Sequence, residues 1–281
     1  MIKKEVISDV LVNKESFSII SNDMIADEDL SDTALSVYTI MRTVNFDVLS
    51  GCSYISVPTL TNILNIGNTQ SSQLKDLYNA IVELEHKNYI ELYDFWNLSV
   101  KFDRKSNNIY KVSFLHEDEN NSISNGFTKI PEVNLLKILK YFKANKGIKK
   151  YQFIKYYLLI ARSCSNDGQL WSISQKQLAQ SVKVSRTTCN TWTNILQDIG
   201  VIFYNNEYGR IGENGSFKYA CTIFFHRNNN ESGYKGKVTV ESFADIVAQE
   251  AKSKNLFKLN TLAVNNKRSE TMKKVWLNRK S

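Results

Sequence analysis

Between Arg186 and Ile199 the apolar residues Cys189, Trp192, Ile195, Leu196 and Ile199 recur three and four apart, the period of a helix with one buried face. That spacing turns Arg186, Thr187, Thr188, Asn190, Thr191 and Asn194 outward, with no acid among them. Such side chains suit duplex DNA. Arginine pairs with the guanine edge, asparagine with the adenine edge, and threonine reaches phosphate oxygens or the thymine methyl. A helix that only faces water usually mixes both signs of charge, whereas a surface laid against phosphates excludes carboxylates. The stretch is therefore expected to contact DNA.

Catalytic arrangements are missing by comparison. No glycine-rich loop ends in Gly-Lys-Ser or Gly-Lys-Thr, and His86, His116 and His226 stand far apart with no HExxH or similar ligand spacing. Tyr151, Tyr156 and Tyr157 sit at helical spacing, which suits core and surface positions of a helix better than a nucleophile. Asp27, Glu28 and Asp29 are accounted for by the start of a helix. The four cysteines, Cys52, Cys164, Cys189 and Cys221, form no CxxC pair, so neither disulfides nor zinc are expected. No catalytic residue, metal or cofactor is expected, and the chain is read as a binding protein rather than an enzyme.

The elements that must position the outward face follow from local signals. Ser174 with Gln177 three residues on has the form of a capping box for a helix through Val182. Lys183-Val184-Ser185 then makes a turn, Arg186 to Ile199 the second helix, and Val201 to Tyr204 a strand. A second strand, Lys218 to His226, would close a hairpin over a polar loop holding Asn205, Asn206, Tyr208, Arg210 and Lys218, of which Arg210 and Lys218 are candidate phosphate contacts.

The same device is spelled about 118 residues earlier. Ser56 to Leu64 reads as the first helix, Asn65 to Asn68 as the turn, Thr69 to Lys87 as the second helix, and Tyr89 to Tyr93 as the strand. Aligning Leu60 with Leu178 also aligns Tyr38 with Tyr156 and Thr69 with Thr187. Repetition on this scale implies duplicated architecture. The outward residues Asn68, Thr69, Gln70, Ser71 and Gln73 are neutral, with Lys75 beside Asp76, and the hairpin between Tyr89–Phe95 and Ile109–Phe114 would carry Lys101, Arg104, Lys105 and Asn107. This copy is expected either to bind DNA through Asn68, Thr69, Gln70, Gln73, Lys101, Arg104 and Lys105 or to mediate a homodimer.

Each copy also has a lead-in and a helix ahead of the hairpin pair. Phe17, Ile19 and Ile20 precede a helix over residues 31 to 46, and Phe127, Ile130 and Pro131 precede one from Lys150 to Ser163, with Lys137 to Lys150 reading as an insertion. The polar stretch His116 to Asn125 suits a boundary. The expected layout is thus α+β: a winged helix-turn-helix domain over 1–119, a second over 120–230, and a C-terminal helix with a basic tail over 231–281.

With 281 residues, 42% hydrophobic and 23% charged, two compact units each with its own core are the default. A net charge of +8 favours a polyanionic partner. From Lys267 to Ser281 six cations face only Glu270, a tail of +5, which could add nonspecific phosphate contacts. Residues past Lys254 are expected to be partly disordered after a helix from about Glu241 to Ser253 carrying Phe243, Ile246 and Val247. No apolar run approaches a membrane span and no secretion signal is evident at Met1-Ile2-Lys3-Lys4, so a cytoplasmic protein without a membrane partner is expected.

The start Phe127-Thr128-Lys129-Ile130-Pro131, the helix through Tyr157, the Ser174 to Ile199 pair and the Gly200-Val201-Ile202 strand start together resemble winged-helix replication initiators of plasmids and phages from low-GC Gram-positive bacteria, the RepA N-terminal type among them. The doubled layout is similar to initiators that carry two winged helices. That resemblance implies binding to repeated origin DNA, with host replication proteins as further partners. A transcriptional regulator of the same fold, or an adaptor whose winged helices hold proteins, would share these patterns.

Overall fold

The structure is a computed structural model that describes residues 17–43, 46–47, 52–66, 71–95, 102, 108–115, 126–164, 171–211, 218–226, 240–253 and 257–258. Helix and strand are mixed, as α+β. In the first half the order is β1 (Phe17–Ser21), α1 (Asn22–Ala26), α2 (Asp32–Thr43), β2 (Phe46–Asp47), β3 (Cys52–Ile55), α3 (Val57–Ile63), α4 (Ser71–His86), β4 (Ile90–Asp94) and β5 (Tyr110–Phe114). The second half has β6 (Phe127–Pro131), α5 (Glu132–Ala144), α6 (Lys150–Ser163), β7 (Trp171–Ser174), α7 (Gln175–Ser181), α8 (Arg186–Asp198), β8 (Ile202–Ile211) and β9 (Lys218–His226). Last come α9 (Val240–Ser253) and β10 (Phe257–Lys258).

The strand–helix–helix–strand–strand order recurs, and so does the sheet. In each half the last strand lies between the other two, β3-β5-β4 in one and β7-β9-β8 in the other, all antiparallel. The helix ends show why both sequences fold alike. Ser56, Ser174 and Ser185 accept from the amides of Thr59, Gln177 and Thr188 at 3.2, 3.2 and 3.1 Å, supplying partners to otherwise orphan helix-start donors. Gln177 also accepts from the Ser174 hydroxyl at 2.8 Å, so the capping box closes on that hydroxyl.

The four helix ends close in one way. Residues with positive φ stand just past α3, α4, α7 and α8: Asn65 at 51°, Asn88 at 56°, Lys183 at 54° and Gly200 at 69°. Each lets the next amide reach back five residues, from Ile66, Tyr89, Val184 and Val201 to the carbonyls of Thr61, Leu84, Ala179 and Leu196, the Schellman arrangement with an apolar residue following the turn.

The two halves are joined by pairing that the local patterns do not announce. β1 and β6 are the extended lead-ins, and they pair with each other, antiparallel, from Phe17 opposite Pro131 to Ser21 opposite Phe127. Next to them α2 packs on α6. There Lys155 and Asp32 form an ion pair at 2.7 Å and the Ser36 hydroxyl donates to the Tyr151 carbonyl at 3.2 Å. Lys150, at the start of α6, donates to the carbonyls of Leu64 and Asn65 at the end of α3, where a cation meets the negative end of a helix. Buried side chains of both halves form one cluster, with Tyr38, Leu60 and Leu84 from the first and Tyr156, Leu178 and Leu196 from the second. The expected boundary near Asn120 lies outside the described residues.

Several expectations need correcting. The insertion from Lys137 to Lys150 is largely helical, since Lys137 to Ala144 belong to α5, which buries Leu135, Ile138, Leu139 and Phe142. Asn205, Asn206, Tyr208 and Arg210 lie on β8, not in a loop, because that strand continues through an irregularity between Asn205 and Tyr208. Phe257–Lys258, where disorder was expected, pair with Gly209 and Tyr208. Ahead of them α9 lays Phe243, Val247 and Ala251 against Phe203 and Tyr208, with Phe203 and Phe243 stacked at 5.3 Å.

Asp27 does not open a helix; it follows α1 and accepts from Lys87 at 3.0 Å and from the Tyr89 hydroxyl at 3.2 Å. Burial alone would raise its pKa, but Lys87, the Asp29 amide and Tyr89 together hold it below the ordinary carboxylate value, while burial and Asp27 push Tyr89 up to about 12. Since the folded pKa of Asp27 is depressed, its contribution to stability is present above the unfolded value and fades as pH falls through the folded one. Urea unfolding of Asp27→Asn should therefore lose less stability than wild type on acidification through that range. An identical acid limb in both proteins would remove Asp27 from the linkage.

Candidate nucleic-acid interface

α8 is set against the core by the residues that its period predicts. Cys189, Trp192 and Leu196 are buried, and Ile195 and Ile199 pack at the margin. The Trp192 ring meets Phe153 and Tyr156 of α6 edge-on at 5.5 and 5.7 Å. Thr193, a polar residue that the apolar pattern passes over, is also buried and bonds the Tyr156 hydroxyl at 2.6 Å. Burial holds the Tyr156 phenol well above its usual pKa and raises the Cys189 thiol. Both are structural groups, and Tyr157 is likewise buried while Tyr151 is partly covered.

Arg186, Thr187, Asn190, Thr191 and Asn194 are exposed on the opposite side of α8. Thr188 is a correction: it is half-buried, and its hydroxyl lies 2.9 Å from that of the capping Ser185. It serves the helix start instead of standing free. Thr191 donates to the Thr187 carbonyl at 3.0 Å, and the amide oxygen of Asn194 accepts from the Tyr204 hydroxyl of β8 at 2.6 Å. Among the described residues nothing holds the side chains of Arg186 and Asn190. Lys176 on α7 and Lys183 in the turn before α8 are also exposed; the apolar pattern did not single them out as contacts, although their charge was legible. The first carboxylate along α8 is Asp198, the last residue of the helix.

The start of α8 matters because its amides and dipole favour anions. Ser185 occupies one of those amides. Replacing it by alanine should cost about 1 kcal/mol of stability, measured by urea unfolding; an unchanged midpoint would show that the hydroxyl contributes nothing to the helix start.

β8 and β9 form a long hairpin beyond α8. Arg210 stands opposite Tyr219 and Lys218 opposite Ile211, at the outer end of the ladder; their side chains lie outside the described part of the structure. In the first half Asn68, Thr69 and Gln70, and the hairpin residues Lys101, Arg104 and Lys105, lie outside the described residues altogether. Gln73 is half-buried on α4, with Lys75 and Asp76 exposed beside it. Among the described residues no cluster of three metal-ligating side chains occurs, and no helix is long and apolar enough to cross a membrane.

The site thus belongs to an α+β protein that uses one strand–helix–helix–hairpin unit twice. No known protein family and no curated protein matches the chain. Among solved structures it is similar to the Pi initiator protein in complex with iteron DNA, at 15% identity and a TM-score of 0.43, over 76% of this chain and 98% of that one.

Proposed function

We propose that the chain is a sequence-specific duplex-DNA-binding protein that initiates replication of a plasmid or phage, each half folding as a winged helix-turn-helix. The observation that carries the DNA reading is the exposed face of α8, free of carboxylates until Asp198 and headed by Arg186 and Asn190. A face of that composition at a helix start can enter the major groove and read base edges. The hairpin β8–β9 stands beside it as the wing. The initiator reading rests on the sequence resemblance of residues 127 to 226 to plasmid and phage initiators and on the doubled unit, which suits repeated origin sites. No catalytic step is part of this function; recruitment of host replication proteins would follow binding.

The test is binding of the purified chain to tiled duplexes covering its own gene and flanks, against random DNA at near-physiological salt. Selective binding to a repeated segment is the expected result. Selectivity only at a promoter would replace initiation with transcriptional control, and the same affinity for all fragments and random DNA would overturn sequence-specific binding in favour of an adaptor that holds proteins.

A further inference from the structure

Asn194 does not reach the DNA-facing surface as an unconstrained amide. Tyr204, two residues into β8, donates its hydroxyl to the Asn194 Oδ1 at 2.6 Å, and its own backbone amide donates to Gln197 Oε1 at 3.3 Å. One strand residue therefore holds two successive outward positions of α8. An asparagine amide offers an oxygen with two acceptor lone pairs and an NH2 donor on the other side of the same plane, so a bond that fixes the oxygen also fixes where the nitrogen points. Bidentate recognition of adenine needs both, the oxygen taking a hydrogen from N6 and the nitrogen giving one to N7. With Oδ1 turned to the β8 side, Nδ2 is the group left facing away from the strand.

We infer that Tyr204 is a specificity-positioning residue: by holding the amide oxygen of Asn194 toward β8, it fixes the rotation of the amide with Nδ2 leading, so that this position favours acceptor-bearing edges such as guanine O6 and N7 or thymine O4 over adenine's paired edge. The inference rests on the DNA reading proposed above. The repeat lacks this arrangement, since β4 places Leu92, an apolar side chain without a hydroxyl, at the matching point after Ile90. The device belongs to the second half alone, the half whose reading face carries the arginine.

Selection from a pool of randomised duplexes tests it, using the full chain, Tyr204→Phe, Asn194→Ala and the double variant. Wild type should enrich a motif in which one base pair changes when Asn194 becomes alanine. At that pair Tyr204→Phe, which keeps the ring and the packing, should shift the preference toward adenine by roughly five- to a hundredfold, with the other positions unchanged. The double variant should match Asn194→Ala, because Tyr204 acts through Asn194. A Tyr204→Phe motif identical to wild type would overturn the inference, as would a change spread over every position, which would mark Tyr204 as merely structural. Loss of preference nowhere in Asn194→Ala would overturn it too. Failure of the wild-type chain to enrich any motif would instead overturn the DNA reading itself, and this inference with it.

Discussion

Arg186→Ala should weaken binding to the preferred duplex by about 1–3 kcal/mol while leaving affinity for random duplex nearly as it was. The reason is the position of the residue. Arg186 is the first residue of α8, exposed, and not held by another side chain among the described residues, so its fork of donors is available to a guanine edge and costs nothing internal when removed. Its position also keeps stability out of the measurement: the cap is made by Ser185 and the core by Trp192 and Leu196, neither of which needs the guanidinium. Competition titrations with specific and random duplexes at matched salt separate the outcomes. Equal losses on both would reassign Arg186 to a phosphate, and the slope of log affinity against log salt would then fall by about one.

Trp192→Ala has the largest expected effect on folding, a loss of roughly 3–5 kcal/mol. The indole is only 4% exposed and sits edge-on to both Phe153 and Tyr156, so its removal opens a cavity among rigid rings on a different helix. Since α8 meets α6 through this contact and through the Thr193–Tyr156 hydrogen bond, the truncation also loosens the support of the exposed face of α8. Urea unfolding followed by far-UV circular dichroism gives the cost. A midpoint indistinguishable from wild type would mean that the indole is not part of the core, and the helix face would have to be reassigned.

What could be read from sequence was local. Ser56 and Ser174 mark helix starts because the capping hydroxyl and the amide it serves lie within three residues, whereas Ser185, a turn residue by pattern, proves to cap α8. The period of Cys189, Trp192 and Leu196 gives the buried side of α8 for the same reason. Harder to see was anything that depended on a partner far along the chain. The pairing of β1 with β6 leaves no mark beyond two extended apolar stretches, and the Tyr204–Asn194 bond joins a strand to a helix through side chains that each look ordinary alone. The polar run Asn205 to Arg210 predicts a shorter β8; these residues stay extended because β9 pairs with the strand and α9 covers Phe203 and Tyr208. In the first half the turn residues Asn68, Thr69 and Gln70 rest on pattern alone and lie outside the described residues, while the caps and helix ends around them are matched by the structure.

The pairing of β1 with β6 has a consequence for how the chain is made. Phe17 finds its partner only when Pro131 has left the ribosome, roughly 6 to 23 seconds later at the usual pace of synthesis. During that interval β1 lacks its partner, leaving a polypeptide edge open to any extended segment nearby. Nascent copies on neighbouring ribosomes of one message are the nearest such segments, so polysome crowding should promote strand exchange between chains, and slower initiation of translation should suppress it.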